Sequence, residues 1–144
     1  MKIVIQRVKR SKVSVGQKVV GSIGAGLNLL ICLEKKDEGI NLNKVAQKIL
    51  NLRVFLDENL KMNKSVLDIK GELLCISQFT LSWNGQGGNR PGFDNSMAPK
   101  MAEKLLDSFV RILGQKVKVE TGQFGEAMEV EIINDGPVTF SLSF

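Results

Sequence analysis

The sequence predicts an α+β domain, an antiparallel β-sheet core carrying two main helices. Three observations predict it. The first third of the chain has apolar residues at strand spacing, two later segments carry them at helical spacing, and the C-terminal end returns to strand-like runs around a turn.

From Lys2 to Leu33 the chain reads as strands. Ile3, Val4, Ile5 and Val8 open it, Val13 and Val15 alternate with polar residues, and Gly16-Gln17 forms a turn before Val19-Val20. A second turn at Gly24-Ala25-Gly26 precedes the apolar run Leu27 to Leu33, and the whole reads as an antiparallel meander. Between Ile40 and Phe55 the spacing changes. Leu42, Val45, Ile49, Leu52 and Val54 or Phe55 fall on one face of a helix, with Lys44, Gln47 and Lys48 elsewhere. Asp57-Glu58-Asn59 breaks that pattern, Lys61 to Leu67 fits no single period, and Gly71 precedes a strand apolar on both faces up to Ser77. Asn84 to Ser96, with Gly85, Gly87, Gly88, Pro91 and Gly92, is a long glycine-rich loop of the kind that is usually functional. Met97 to Leu113 reads as the second helix, with Met101, Leu105, Phe109 and Ile112 as its apolar stripe and Gly114 as its stop. The terminal strands Met128 to Ile133 and Val138 to Phe144 flank an Asn-Asp-Gly-Pro turn as a final hairpin.

A chain of 144 residues with 43% hydrophobic content fits one domain, residues 1–144, with a core of its own. No stretch approaches the roughly 18 apolar residues of a membrane span, and Lys2, Arg7, Lys9 and Arg10 interrupt the first apolar run, so a cytoplasmic protein with no membrane partner is expected. Cys32 and Cys75 stand singly inside apolar runs and read as buried structural thiols. A net charge of +5 suits a polyanion such as RNA, but is also common in proteins that bind none. There is no histidine at all. That excludes Ser-His-Asp and Cys-His catalysis and histidine-ligated metal, and no metal or cofactor is expected.

Two polar segments at the ends of apolar runs carry the remaining chemistry. In Ser77-Gln78-Phe79-Thr80-Leu81, an extended backbone would point Ser77 and Phe79 one way and Gln78 and Thr80 the other, lining a cleft or simply ending a strand. Thr80 as a nucleophile would need a neighbouring base, and no histidine exists to serve. In Asn134-Asp135-Gly136-Pro137-Val138-Thr139, Gly136 can take dihedrals closed to other residues, and Pro137 fixes its φ and lacks an amide proton. Such a segment is either a tight hairpin turn or a turn that offers bare carbonyls to a ligand.

Together these two segments resemble the signature motifs of the D-aminoacyl-tRNA deacylases. The resemblance extends to Gln6-Arg7-Val8, Asn51 to Phe55, Met62-Asn63, Ser65 to Asp68, Arg90-Pro91 with Phe93, Val119 to Gly122 and Phe124-Gly125, and so covers essentially the whole chain. It implies that family's barrel-like antiparallel core with two main helices, and a homodimer. In each site the Ser77 to Leu81 segment of one chain would meet a cis Gly136-Pro137 loop from the other. The implied substrates are D-aminoacyl-tRNA and glycyl-tRNA. Ser77, Gln78, Phe79 and Thr80 are the implied catalytic segment, with backbone amides at Phe79 and Thr80 holding the ester carbonyl and the 2′-hydroxyl of the terminal adenosine assisting. Gly136 and Pro137, with Asn134, Val138, Thr139 and a bracing Arg7, are the implied chiral filter. The stretch Trp83 to Arg90 lacks the aromatic and doubled arginine frequent in the family, and Gly92 stands where serine is usual.

Overall fold

A long β-hairpin lies at the centre of the structure, a computed structural model describing residues 1–144. Strand β1 (Lys2–Val15) turns at Gly16, whose φ is +58°, and returns as β2 (Lys18–Ile23) and β3 (Gly26–Cys32). Val15 faces Lys18, Ser11 faces Ile23, Val8 faces Gly26 and Lys2 faces Cys32. The expected meander is thereby corrected. β2 and β3 lie end to end along the same edge of β1, because a strand of 14 residues is long enough to take both.

Gly26 resumes the return strand where it meets the next strand, β6 (Glu72–Ser77). A Cβ on Gly26 would sit 1.9 Å from the Glu72 carbonyl oxygen, so only glycine permits that approach. β6 runs parallel to β3 on one side and to β7 (Val119–Thr121) on the other. Flanked on both edges and covered on both faces, its residues Leu73 to Ile76 are all buried, as the unbroken apolar run predicts.

The last strand, β8 (Met128–Ser143), follows the free edge of β1 from end to end, Val15 facing Met128 and Lys2 facing Ser143. This corrects the expected final hairpin. The chain does not reverse at Gly136-Pro137; it bulges. Between the pairs Gln6–Thr139 and Val8–Asn134, the single residue Arg7 stands opposite the four residues 135, 136, 137 and 138.

Helix α1 (Leu42–Leu50) starts at Asn41, whose side chain accepts from the Lys44 amide at 3.0 Å. It ends at Leu50, earlier than the spacing predicts. Val54 and Phe55 reach the core from the extended chain beyond, where the short strands β4 (Phe55–Leu56) and β5 (Met62–Lys64) pair and account for the unassigned stretch from Lys61. Helix α2 (Pro99–Gly114) opens with proline at its first turn and includes Gly114 as its last residue. Its buried stripe is Ala102, Leu106, Phe109 and Leu113, one residue on from the predicted one at all but Phe109. Met101 is 46% exposed.

Both helices pack on one face of the sheet, over Ile3, Ile5, Leu27, Leu29, Ile31 and Leu73. The opposite face curls around a smaller core of Val8, Val13, Ile23, Leu74 and Ile76, closed by Met128, Val130 and Ile132. The result is a barrel-like sheet with two helices. Each large side chain in these cores contributes about 1.5–3 kcal/mol, which fixes the ends of β3, β6 and α2 that converge on the site.

Candidate active site

The C-terminal end of β6 opens into a cavity of about 640 Å³. β3 and the residue after it supply Ile31 and Leu33, α2 supplies Ala102 and Leu106, and Phe124, Met128 and Val130 close the far wall. Its polar chemistry is concentrated at Ser77 and Gln78, with Glu126 the only carboxylate. No cluster of three carboxylates and thiols stands anywhere in the structure to hold a metal.

β6 stops at Ser77 because the chain coils there. The Gln78 amide makes a last sheet-like bond to the Ile31 carbonyl at 2.7 Å, and residues Phe79–Ser82 form a 3-10 turn. Within it Leu81 donates to the Gln78 carbonyl at 3.3 Å, so the Phe79 and Thr80 amides precede the first intra-turn bond. The Gln78 side chain does not cap them; it donates instead to the Thr80 hydroxyl at 2.5 Å. The carbonyl end of the turn is tied down. Cys32 Sγ donates to the Phe79 carbonyl at 3.5 Å, and Lys2 Nζ donates to the Leu81 carbonyl at 3.1 Å while pairing with Glu34 at 3.2 Å. The Phe79 and Thr80 amides make none of the turn's own backbone bonds, and N–H groups left over at the start of such a turn can receive a developing oxyanion.

Coiling also changes which side chains face the cavity. Ser77, Gln78 and Phe79 all line it, whereas the expected alternation put Gln78 on the other side, and Thr80 lies outside the lining and is exposed. The glycine-rich loop reaches the cavity, which its Phe93 and Ser96 line, and the Phe93 ring meets Phe79 edge to face at 5.0 Å. Loop and cavity are tied by the Met97 amide bonding the Leu33 carbonyl at 3.0 Å. The apolar wall of Ala102, Leu106, Met128 and Val130 went unread in the sequence. These residues carry helix and strand periodicity like any core position, and only the fold shows that they border a space.

Both thiols are buried and unlinked. Burial, reinforced by the nearby Glu34 carboxylate, raises Cys32 to about 11, and burial alone raises Cys75 to about 12. Neither is a nucleophile at neutral pH.

The second segment forms the bulge of β8. The buried Arg7 guanidinium holds it, Nε donating to the Asp135 carbonyl at 3.0 Å and facing the Asp135 carboxylate at 3.2 Å, while Nη1 donates to the Val54 carbonyl at 2.5 Å. The Gly136-Pro137 bond is cis, and Gly136 has φ +136°. A Cβ on Gly136 would meet the Val138 amide nitrogen at 2.7 Å. The two shoulders of the bulge, Asn134 and Thr139, return to register opposite Val8 and Gln6, and Val138 packs against the main core. None of these residues lines the cavity of the same chain. One chain therefore does not bring the two segments together.

Comparison with known proteins places the chain in a family. The sequence profile of a family described as D-Tyr-tRNA(Tyr) deacylase matches residues 4–143. A D-aminoacyl-tRNA deacylase of Histophilus somni (strain 2336) is 49% identical over 139 residues, 96% of each chain. One from Persephonella marina (strain DSM 14350 / EX-H1) is 53% identical over 137 residues, covering 95% of this chain and 93% of the relative. Among solved structures, a c-Myc DNA Unwinding Element Binding Protein superposes with a TM-score of 0.93 at 42% identity, over 100% of this chain and 99% of the other. A probable eukaryotic D-amino acid tRNA deacylase shares the fold, with a TM-score of 0.78 at 17% identity and 98% of each chain covered. Barrel-like fold, histidine-free cleft and these likenesses define an enzyme of the tRNA deacylase class. Matched by the profile over nearly its whole length and by relatives at about half identity, the chain belongs to the D-aminoacyl-tRNA deacylase family.

Proposed function

We propose that the chain hydrolyses the ester of D-aminoacyl-tRNA, releasing free D-amino acid and tRNA, and that it treats glycyl-tRNA mischarged onto tRNA(Ala) in the same way. It acts in the cytoplasm as a homodimer, each cavity completed by the Gly136-Pro137 bulge of the other chain. The observation that carries this reading is the separation of the two segments: the amide-bearing turn borders a cavity, and the bulge stands outside it on the same chain.

The chemistry follows from what borders that cavity. Water attacks the ester carbonyl carbon, the carbonyl oxygen gains negative charge, and the amide of Phe79 at the cavity edge, with that of Thr80 next to it in the turn, receives it. The ester C–O bond then breaks, and the proton given up by the attacking water passes by way of the adjacent 2′-hydroxyl to the departing ribose oxygen. A well-placed oxyanion donor contributes about 2.7–4 kcal/mol, so two donors and a fixed ester make imidazole unnecessary. The Gly136 and Pro137 carbonyls face the substrate's α-ammonium and leave no room for a side chain of L configuration. Glycine, having none, passes.

Hydrolysis of matched D- and L-aminoacyl-tRNA, with a D-aminoacyl-tRNA ending in 2′-deoxyadenosine alongside, tests this. Cleavage of the D ester alone, lost in the deoxy substrate, is expected. Equal cleavage of D and L esters would sink the chiral filter, and full activity on the deoxy substrate would sink the assisting hydroxyl.

A further inference from the structure

Lys9 and Arg10 are both exposed on β1, and neither pairs with a carboxylate. Their neighbours are neutralised, Arg7 by Asp135 and Lys12 by Glu131 at 3.1 Å. They lie where the sheet opens on both sides. On one edge the ladder lapses between Val8–Gly26 and Ser11–Ile23, at the break between β2 and β3; on the other, β8 shifts register between Val8–Asn134 and Arg10–Ile133, one residue from the bulge. The facing stretches, 23–26 and 133–136, hold one carboxylate between them, Asp135, and Arg7 already uses it. Glu72, which reaches the Gly24 amide at 2.8 Å, is engaged by Lys118 at 3.3 Å. Three cations within four residues thus face a single anion. Such uncompensated charge is destabilising on its own and suits an external polyanion.

Resting on the proposed dimer, we infer that Lys9 and Arg10 bind backbone phosphates near the acceptor end of the tRNA seated in the partner's cavity. The chain that lends the Gly136-Pro137 bulge to a cavity carries these two cations to its mouth, where the RNA must emerge. Filter and phosphate clamp then arrive together, on adjacent residues of paired strands. Lys18 faces Val15 at the hairpin tip, five residues past Arg10 and so about 17 Å away along the strand; it lies outside this footprint.

The test compares wild type, Lys9→Gln/Arg10→Gln and Lys18→Gln on D-aminoacyl-tRNA and on 3′-O-D-aminoacyl-adenosine, which has no phosphate. With the double variant, KM for the tRNA is expected to rise about tenfold at unchanged kcat, and the slope of log(kcat/KM) against log[salt] to become shallower by about 1.5. Turnover of the adenosine ester, and all values for Lys18→Gln, are expected to match wild type. An unchanged salt slope overturns the inference, as does an equal loss on the adenosine ester, which would place both residues in support of the bulge. A wild type that cleaves neither ester removes the deacylase reading and this one with it. In mixed dimers of one Gly136→Ala chain and one chain with an intact bulge, the raised KM is expected only when the double substitution sits on the intact-bulge chain. A rise from the other chain alone would overturn delivery in trans.

Discussion

Arg7 joins three polypeptide segments through one side chain, gripping β8 at Asp135 and the chain after α1 at Val54. Lysine offers no planar fork and cannot reproduce that geometry, so Arg7→Lys is expected to destabilise the fold by about 1–3 kcal/mol in urea unfolding and to lower D-over-L discrimination. A Gly136→Ala methyl would press on the Val138 backbone at a φ closed to L residues, costing about 1–3 kcal/mol. Its circular dichroism is expected to match wild type while activity falls on the order of a hundredfold, the cost of a displacement near 1 Å at a reacting centre. Cys75 tests burial itself. Its thiol ionises near 9.0 when unfolded and near 12 when folded, so its contribution is complete below pH 9 and declines as pH rises toward 12. Between pH 8 and 10.5 urea unfolding is expected to show a loss of roughly 2 kcal/mol in wild type beyond that of Cys75→Ala.

At the level of elements, α2 supplies a direct check on which face is buried. Met101→Lys is expected to change stability by less than about 0.5 kcal/mol, whereas Ala102→Lys, which buries an ammonium between the main core and the cavity wall, costs several kcal/mol on the order of an unpaired buried charge. Thermal unfolding of the two variants decides it. The offset between predicted and observed stripe shows what periodicity can and cannot give. Helical spacing in Met97 to Leu113 is unmistakable, but Met101 and Leu105 are as apolar as Leu106 and Leu113, so composition alone leaves the stripe free to rotate by one residue. The same limit explains the two sheet corrections. Strand-like runs identify β1, β2, β3 and both halves of β8, yet how β2 and β3 share an edge of β1 depends on register, and the place of β8 on pairings over more than a hundred residues, neither of which a local pattern records. The cavity edge at Ser77 and Gln78 was legible, because polar groups there end a buried strand. Leu106 and Val130 gave no signal, because an apolar wall reads like a core.

The whole molecule, taken as one chain, holds the Phe79 turn at the cavity and the Gly136-Pro137 bulge away from it. If two chains share each site, specific activity is expected to fall on dilution below the dimer dissociation constant and to recover on concentration. Constant specific activity per chain through the dilution at which light scattering or sedimentation shows separation would reject the shared site. No helix is long and apolar enough to cross a membrane.

The bulge of β8 is cut into a strand that is laced to β1 on both shoulders, unlike a loop swinging at the tip of a hairpin. It behaves as a tooth on a bar. If the bulge is the chiral filter proposed above, a mirror-image substrate cannot lever it aside, since any yielding must first unzip Asn134 or Thr139 from its partner and pull Arg7 from the Val54 carbonyl. On that reading misreading rises only as the sheet itself begins to come apart, which would tie accuracy to the melting temperature and not to the looseness of any lid.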